Sequence, residues 1–193
     1  MLQTQRTIKL WSIAAAGVLF AAAMLASAGS HGALADQATR LAAIGQTAPG
    51  FDLVNAQTGD KTLLDTAREG KKATVLIFIS TRCPVSNAYN DRMIALADKY
   101  GPQGVAVIGI YSNQTEPIAE VASHAQSNKF TFPVLKDSDD SVADAYNARR
   151  TPTAYVIDAQ GVVRDKFIAV PNKLLHDVVV PLLLRSAVPG DSK

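Results

Sequence analysis

Two uninterrupted apolar runs predict the central strands of the fold. Residues 73–79 are seven consecutive apolar or β-branched side chains, and residues 105–111 form a second apolar run. Runs of this length are typical of strands that are buried on both faces. Between them, apolar side chains recur every three or four residues from Val85 to Tyr100, and the pattern stops before Pro102. This part of the chain therefore predicts a strand–helix–strand unit.

Shorter patterns on either side extend this unit into a larger α/β sheet. Phe51–Val54 and Lys61–Leu63 flank a turn and predict a hairpin. The alternation of strands and helices predicts a sheet that is parallel in its first half, with helices on both faces. The remaining predicted elements are a helix over 116–128 capped by Thr115, a strand over 132–135, a helix over 142–148 capped by Ser138, a strand over 154–157, a turn at 158–161, a return strand over 162–168, and a last helix capped by Asn172 and interrupted at Pro181.

The single cysteine, Cys83, stands where the first central strand passes into the helix. Pro84 follows it, and proline is favoured in the first turn of a helix. Unpaired N–H groups and the positive end of the helix dipole favour an anion at such a place. A thiolate is an anion and is the reactive form of cysteine. We therefore predict that Cys83 is a nucleophile, the alternative being a small buried apolar residue.

Residues 1–35 have the pattern of a secretory signal peptide. Arg6 and Lys9 precede an alanine-rich apolar run over 10–25, and Ala33-Leu34-Ala35 offers a small-residue cleavage site. The apolar run is shorter than the roughly 20 residues that span a bilayer comfortably. We expect a cleaved leader and export, most simply to a periplasm. Cleavage after Ala28 and an uncleaved leader that tethers the protein to the membrane are the alternatives.

The leader also carries the excess of positive charge. Removing it takes two of the 19 Lys and Arg residues and none of the 17 Asp and Glu residues, which leaves 17 of each. This balance gives no reason to expect nucleic acid or an anionic membrane as a partner. The remaining chain of about 158 residues is long enough for one domain, which we place at 36–188 and follow with a flexible tail at 189–193. With one cysteine it cannot form an internal disulfide, and its oligomeric state stays open.

Several segments together have the features of a known family. They are GQTAPGFDLVNAQTGDKTLLD, VLIFISTRCPVSNAYN, FPVLKD and VADAYNARRTPTAYVIDAQGVVR. From about Ile44 to Phe167 the chain resembles the thioredoxin-fold redoxins of the alkyl-hydroperoxide-reductase/thiol-specific-antioxidant group. The resemblance implies a thioredoxin-like α/β fold: a central mixed sheet, helices on both faces and an N-terminal hairpin extension.

The resemblance also implies a substrate groove. Thr151-Pro152 matches the cis-proline of the disulfide-exchange members, which lies against the active cysteine and beside which an extended substrate pairs. Pro84 and Arg150 are the other candidate groove residues. Ser86 stands where those members have a second, resolving cysteine, so an outside thiol has to release a bound partner. The Ser86 hydroxyl either donates to the sulfur or satisfies backbone N–H groups of the first turn.

The peroxidase members of the group carry Pro-x-x-x-Thr-x-x-Cys. Here Leu76 and Ser80 stand at the proline and threonine positions, and Pro152 stands where their catalytic arginine is expected. Reduction of a peroxide needs donors that stabilise the transferring oxygens. Ser80, Arg82 and Arg150 are the candidates for that role.

Other polar residues suggest ordinary roles. His124 and His176 fall within helical patterns, so we predict structural roles for them and not that of a base for the cysteine. The acidic residues between 137 and 140 lack the glycine and distal glutamate of a calcium loop. Asn87 stands where a copper-binding pair would need its second sulfur. We predict no metal and no cofactor.

Together these observations predict an exported thiol-dependent oxidoreductase that acts through one cysteine. Its substrate is a peroxide or a disulfide, and its reductant is an external thiol or a thioredoxin-like protein. Cys83 is the predicted nucleophile, and Ser80, Arg82 and Ser86 are the candidate residues that assist it. The principal alternative is a non-catalytic thioredoxin-fold binding module that has lost its resolving cysteine. A third possibility is a homodimer linked through its single cysteines.

Overall fold

A seven-stranded mixed sheet forms the centre of the protein in the computed structural model, which describes residues 41–169 and 179–181. Its strands, in chain order, are β1 (Asp52–Asn55), β2 (Lys61–Leu63), β3 (Ala73–Ile79), β4 (Val105–Tyr111), β5 (Val134–Lys136), β6 (Thr153–Asp158) and β7 (Val163–Ile168). They lie side by side in the order β2-β1-β5-β4-β3-β6-β7. β3, β4 and β5 are parallel, and β6 and β7 continue the sheet in antiparallel pairing. The predicted hairpin of β1 and β2 is confirmed and joins the sheet through β5.

Helices connect these strands as the predicted α/β class requires. They are α1 (Leu64–Arg68), α2 (Pro84–Asn87), α3 (Asn90–Tyr100), α4 (Ile118–Ser127) and α5 (Ser141–Ala145), with a 3₁₀ turn at Gly101–Gln103. The architecture is thioredoxin-like, with the hairpin as an N-terminal extension. The predicted signal peptide and the predicted tail at 189–193 lie outside the described residues. Of the predicted last helix, only residues 179–181 are described, and they are helical.

β3 holds the two halves of the core together. All seven of its residues are buried, and side chains alternate between the faces of a strand. Val75 and Ile77 belong to the core that packs the apolar side of α3. Leu76 and Phe78 belong to the core on the opposite face, which includes Tyr146. Burial of each such side chain stabilises the fold by about 1.5–3 kcal/mol. The strand is therefore firmly held, and the residues that follow it leave the sheet at a fixed place.

The single helix predicted after Pro84 is wrong, because the chain forms two helices. The backbone N–H of Tyr89 bonds to the carbonyl of Ser86 at 3.0 Å, a tightened turn that closes α2. The next helix begins at Asn90, and the N–H of Met93 bonds back to Tyr89 at 3.0 Å. The short α2 therefore forms a separate unit that carries the cysteine segment.

One predicted helix start and one predicted helix cap are also displaced. α4 begins at Ile118 after Pro117 instead of at Glu116, because the N–H and hydroxyl of Thr115 bond to the Asn113 side chain. α5 covers Ser141–Ala145, so its start lies within one residue of the predicted 142, but Asp140 and not Ser138 is the residue at its cap. In both places a local side-chain turn competes with the helix for the same backbone groups. The shift leaves Glu116 in a loop rather than in a helix.

Candidate functional site

Cys83 lies four residues beyond β3 and immediately precedes α2. Its backbone is extended, with φ −80° and ψ 113°, and Pro84 begins the helix. The side chain is partly buried, and Sγ lies 3.7 Å from the main-chain oxygen of Thr151. The Thr151–Pro152 peptide bond is cis, and Pro152 is buried. The sulfur and two of the predicted groove residues therefore lie together.

Hydrogen-bond donors around the sulfur lower the pKa of Cys83 from its ordinary value. The largest contribution comes from the Thr151 side chain, followed by the backbone N–H of Ser86, while Val85 adds a smaller one. Partial burial and the charge of Glu116 act in the opposite direction. The Thr151 carbonyl accepts a hydrogen bond only from the protonated thiol, so the lowering comes from the donors. Together these groups increase the thiolate fraction of the sulfur.

A buried carboxylate lies beneath the cysteine loop. Glu116 has no exposed side-chain surface, and its Oε1 accepts a hydrogen bond of 2.5 Å from the Ser80 hydroxyl. The backbone N–H of Arg82 donates to both Ser80 Oγ and Glu116 Oε1 at 3.3 Å. The second carboxylate oxygen is buried without a hydrogen-bond partner among the described residues. Sequence reasoning missed Glu116, which was assigned to a helix start, although it follows the carboxyl end of the neighbouring strand β4.

Ser86 faces the interior. It is almost completely buried, and its Oγ accepts a hydrogen bond of 3.3 Å from the backbone N–H of Ser80. Of the two roles considered for the hydroxyl, this contact is with a backbone N–H. The N–H belongs to the end of the β3 segment and not to the first turn of α2. Ser86 therefore fastens the helix to the strand that precedes it.

The side chain of Arg82 is directed to α4. Its Nη2 and Nε lie 2.6 Å and 3.0 Å from the two carboxylate oxygens of Glu120, and Thr81 donates to the same carboxylate at 2.5 Å. The hydrogen bond from Arg82, with that from Thr81, lowers the pKa of Glu120 to about 2, and Glu120 in turn raises the pKa of Arg82. A two-pronged pair of this kind fixes the guanidinium in one orientation. The structure therefore pairs this predicted site residue with a carboxylate on another helix.

His124 and Asn87 link α2 to the body of the protein. Asn87 Nδ2 donates to the Thr81 carbonyl at 2.9 Å, which leaves Asn87 Oδ1 to accept from His124 Nε2 at 2.8 Å. His124 Nδ1 then accepts from the Tyr111 hydroxyl at 2.8 Å. Burial lowers the pKa of His124, against the raising effect of Glu116 and Glu120, so the neutral ring fits this pattern. The histidine is thus held by structural contacts, as predicted, while His176 lies outside the described residues.

The fourth predicted groove residue, Arg150, lies at a cleft on the other side of the cysteine loop. The cleft has a volume of about 340 Å³ and is lined in part by Ser80, Arg150 and Thr151. Arg150 is exposed, whereas the neighbouring Arg149 forms an ion pair of 2.7 Å with Asp144. Pro84 is exposed at the surface beside the sulfur. Arg150 thus lies on the Thr151 side of the loop, and Arg82 lies on the α4 side.

Within residues 41–169 and 179–181, no group of three or more His, Cys, Asp and Glu side chains is arranged to hold a metal ion. No helix there is both long and apolar enough to cross a membrane.

The sheet order, with a cysteine at the start of α2 facing a Thr-Pro loop, defines a thioredoxin-fold redoxin. The chain belongs to the AhpC/TSA family, whose match covers residues 44–166.

Two named proteins and one solved structure are similar to this chain. The chain is 33% identical over 122 residues to the thiol-disulfide oxidoreductase ResA of Geobacillus kaustophilus, covering 63% of this chain and 67% of that protein. It is 28% identical over 142 residues to the thiol:disulfide interchange protein DsbE of Pseudomonas aeruginosa, covering 73% of this chain and 76% of that protein. A solved structure of an uncharacterized conserved protein from Geobacillus kaustophilus matches with a TM-score of 0.70 and 28% identity, covering 78% of this chain and 87% of that one.

Proposed function

We propose that this protein is a thiol-disulfide oxidoreductase that works through one nucleophilic cysteine. The observation that carries the proposal is the placement of the Cys83 sulfur among donors that favour the thiolate, 3.7 Å from the main chain of Thr151. The names of the relatives ResA and DsbE support exchange chemistry. The partner is accordingly a thiol or a disulfide.

The reaction has two steps. The Cys83 thiolate attacks one sulfur of a partner disulfide, a mixed disulfide forms, and the other partner sulfur leaves as a thiolate. In the second step an external thiolate attacks the partner's sulfur in the mixed disulfide, which returns Cys83 as a thiolate and yields a new disulfide. Ser86 has no thiol with which to do this internally, so the reductant comes from outside. A small thiol or a thioredoxin-like protein supplies that chemistry.

Exchange is a better fit to the site than peroxide reduction. The Ser80 hydroxyl already donates to Glu116 at 2.5 Å, and the Arg82 guanidinium is paired with Glu120. Both groups were candidates to stabilise the oxygens of a peroxide, and both are occupied by carboxylates. Disulfide exchange needs only the thiolate and a groove for the partner.

A competition between oxidants tests the proposal. The reduced protein is mixed with equal concentrations of hydrogen peroxide and a small disulfide, quenched at short times, and examined by intact-mass measurement. We expect the mixed disulfide at Cys83 to form first, with no adduct on Cys83→Ser. Rapid formation of a sulfenic acid with a slower disulfide reaction would favour the peroxidase interpretation instead.

A second candidate is a binding module without turnover, favoured by the way Ser86 is built into the fold through Ser80. It predicts that partners bind Cys83→Ser as tightly as the unaltered protein. Loss of partner capture in Cys83→Ser, with the fold intact, would contradict it.

We also propose that residues 1–35 are a cleaved signal peptide and that the protein acts in the periplasm. The support is the sequence pattern of charged start, apolar run and small-residue site. N-terminal sequencing of protein from fractionated cells would identify the first mature residue, and an intact N-terminus in the membrane fraction would indicate a tether.

A further inference from the structure

The cleft beside Thr151 has both signs of charge within a small volume. At about 340 Å³, it is near the lower end of the range for small-molecule sites. Its charged lining residues are two arginines and two aspartates: Arg149, Arg150, Asp140 and Asp144. A site of this composition favours a small ligand that itself carries carboxylate and ammonium groups.

Two of these charged groups are available to a ligand. The Arg150 side chain is exposed and has no ion-pair or hydrogen-bond partner in the described part of the chain. Asp140 is half-buried and lines the cleft, and its buried Oδ1 has no hydrogen-bond partner within residues 41–169 and 179–181. Arg149 and Asp144, in contrast, already neutralise each other at 2.7 Å. One cation and one anion therefore remain for a ligand.

Thr151 connects this cleft to the reactive sulfur. The residue lines the cleft, and its main-chain oxygen lies 3.7 Å from Cys83 Sγ. Ser80, at the end of β3, lines the same cleft. A ligand bound in the cleft therefore contacts Thr151, the residue whose main-chain oxygen lies next to the sulfur. The cleft is thus placed to hold the body of a molecule whose own sulfur meets Cys83.

We propose that the cleft is the binding site for a zwitterionic peptide thiol, of which glutathione is the simplest probe, and that this thiol is the outside reactant that the one-cysteine site needs. A ligand carboxylate binds Arg150, and the ligand ammonium binds Asp140. The inference rests on the proposed exchange function and names its small reactant. In the resolving step, the thiolate of the bound peptide attacks the partner's sulfur in the Cys83 mixed disulfide, releasing Cys83 as a thiolate and forming a peptide–partner disulfide. The cleft also serves a separate reaction with the oxidised peptide: Cys83 attacks one of its two sulfurs, one peptide thiolate leaves, and a Cys83–peptide disulfide remains.

The test compares rates of mixed-disulfide formation at Cys83 with three small disulfides. They are glutathione disulfide, neutral 2-hydroxyethyl disulfide and cationic cystamine. Each rate is divided by that of 2-mercaptoethanol with the same disulfide, which removes differences in intrinsic reactivity. We expect the normalised rate with glutathione disulfide to exceed both others by about 25-fold, the combined effect of two ionic contacts of about fivefold each in a partly exposed site. Salt should reduce this preference, because the contacts are ionic.

Substitutions then assign the preference to the cleft. Arg150→Ala and Asp140→Asn should each lower the normalised ratio of glutathione disulfide to 2-hydroxyethyl disulfide by about fivefold. Asparagine tolerates the left-handed backbone of Asp140, whose φ is 59°, so the second variant keeps the local fold. Lys61→Ala, at the far edge of the sheet, is the matched control for loss of a positive charge and should leave the ratio unchanged.

The possible outcomes separate the two proposals. If Cys83 reacts with all three disulfides at the same normalised rate, the cleft proposal is overturned and the exchange function stands. A preference for glutathione disulfide that survives both substitutions overturns the cleft as its site. If Cys83 reacts with none of the three disulfides, both proposals fail.

Discussion

The two sides of the Cys83 loop differ in how many of their charged side chains have a hydrogen-bond partner. We use the term closed side for the groups that connect the loop to α4, which are Ser80, Thr81, Arg82, Ser86, Glu116 and Glu120. Ser80, Thr81 and Arg82 there all donate to the two glutamates, with contacts as short as 2.5 Å. We use the term open side for the cleft residues Asp140, Asp144, Arg149, Arg150 and Thr151. There the Arg150 guanidinium and the Oδ1 of Asp140 have no hydrogen-bond partner in the described part of the chain.

This difference indicates that the two sides of the loop affect the Cys83 sulfur in different ways. Side chains that are hydrogen-bonded to one another fix geometry and charge, because moving them would leave a carboxylate without its donors. An exposed and unpaired side chain such as that of Arg150 can instead bind what arrives from solvent. The closed side should therefore control the reactivity and stability of the loop, while the open side should control which molecule reacts. Substitutions on each side of the loop test this difference.

Ser86→Cys should convert the closed side into a two-thiol site. The new thiol would release a bound partner internally, at an effective concentration in the millimolar range. At 0.1 mM external thiol, release of a Cys83 mixed disulfide should become about tenfold faster and independent of the external thiol. Quenched-flow mass measurement gives both rates. Ser123→Cys, on the exposed face of α4, is the matched control, and an unchanged dependence on external thiol in Ser86→Cys would contradict the prediction.

Glu116→Gln should make the cysteine more acidic and the fold less stable. The negative charge of Glu116 raises the pKa of Cys83, so its removal should shift the midpoint of the alkylation rate to lower pH. Loss of the carboxylate acceptor for Ser80 should decrease the free energy of unfolding by about 1–2 kcal/mol. The measurements are iodoacetamide kinetics across pH and urea unfolding. Glu69→Gln, which removes an exposed carboxylate away from the loop, is the matched control, and an upward shift of the midpoint in Glu116→Gln would show that the charge does not act on the sulfur.

Glu120 should make part of the stability depend on acidic pH. Its pKa is lowered from about 4.5 to about 2 by Arg82 and Thr81. The contribution of this carboxylate to stability is therefore present above pH 4.5 and is lost as the pH falls toward 2. Glu120→Gln should remove that portion of the pH dependence of the melting temperature. Glu69→Gln, an exposed carboxylate beside α1, should keep it, and equal pH curves for the unaltered protein and Glu120→Gln would exclude the effect.

Arg149→Ala should have the smallest effect on stability. The ion pair of Arg149 with Asp144 is exposed, with 70% and 61% of the two side chains accessible. Exposed pairs contribute little, so the free energy of unfolding should change by less than about 0.5 kcal/mol. Urea unfolding measures the change. A loss above 1.5 kcal/mol would show that the open side is as tightly built as the closed side.

Much of the fold could be predicted because its signals are local. The apolar runs of β3 and β4 and the two hairpins required only the period of the side chains and the turn residues. The break at Tyr89 gave no such signal, because the apolar spacing continues unchanged across it. The start of α4 and the cap of α5 were wrong because Asn113 and Asp139 form local turns that the spacing of apolar residues does not report.

The sequence predicted where the cysteine and the Thr-Pro segment lie in the fold, but it did not predict the side-chain contacts around them. Cys83 at a strand–helix junction follows from the sequence, and its pairing with Thr151 was implied by the family resemblance. The contact of Arg82 with Glu120 joins residues 38 positions apart in the chain, and no local pattern encodes it. The burial of Glu116 is likewise decided by the tertiary packing around the β4–α4 loop. Such contacts depend on which loops the sheet brings side by side.

The hydrogen bonds of the Asn87 amide affect how a partner molecule binds. By joining Thr81 to His124, it holds the four-residue helix α2 against the sheet before any ligand is present. The Cys83 sulfur is therefore held in a fixed position, and the loss of conformational freedom on docking falls mostly on the incoming molecule. A pliable tail or a small peptide would approach such a sulfur more readily than a folded domain whose disulfide lies in its interior.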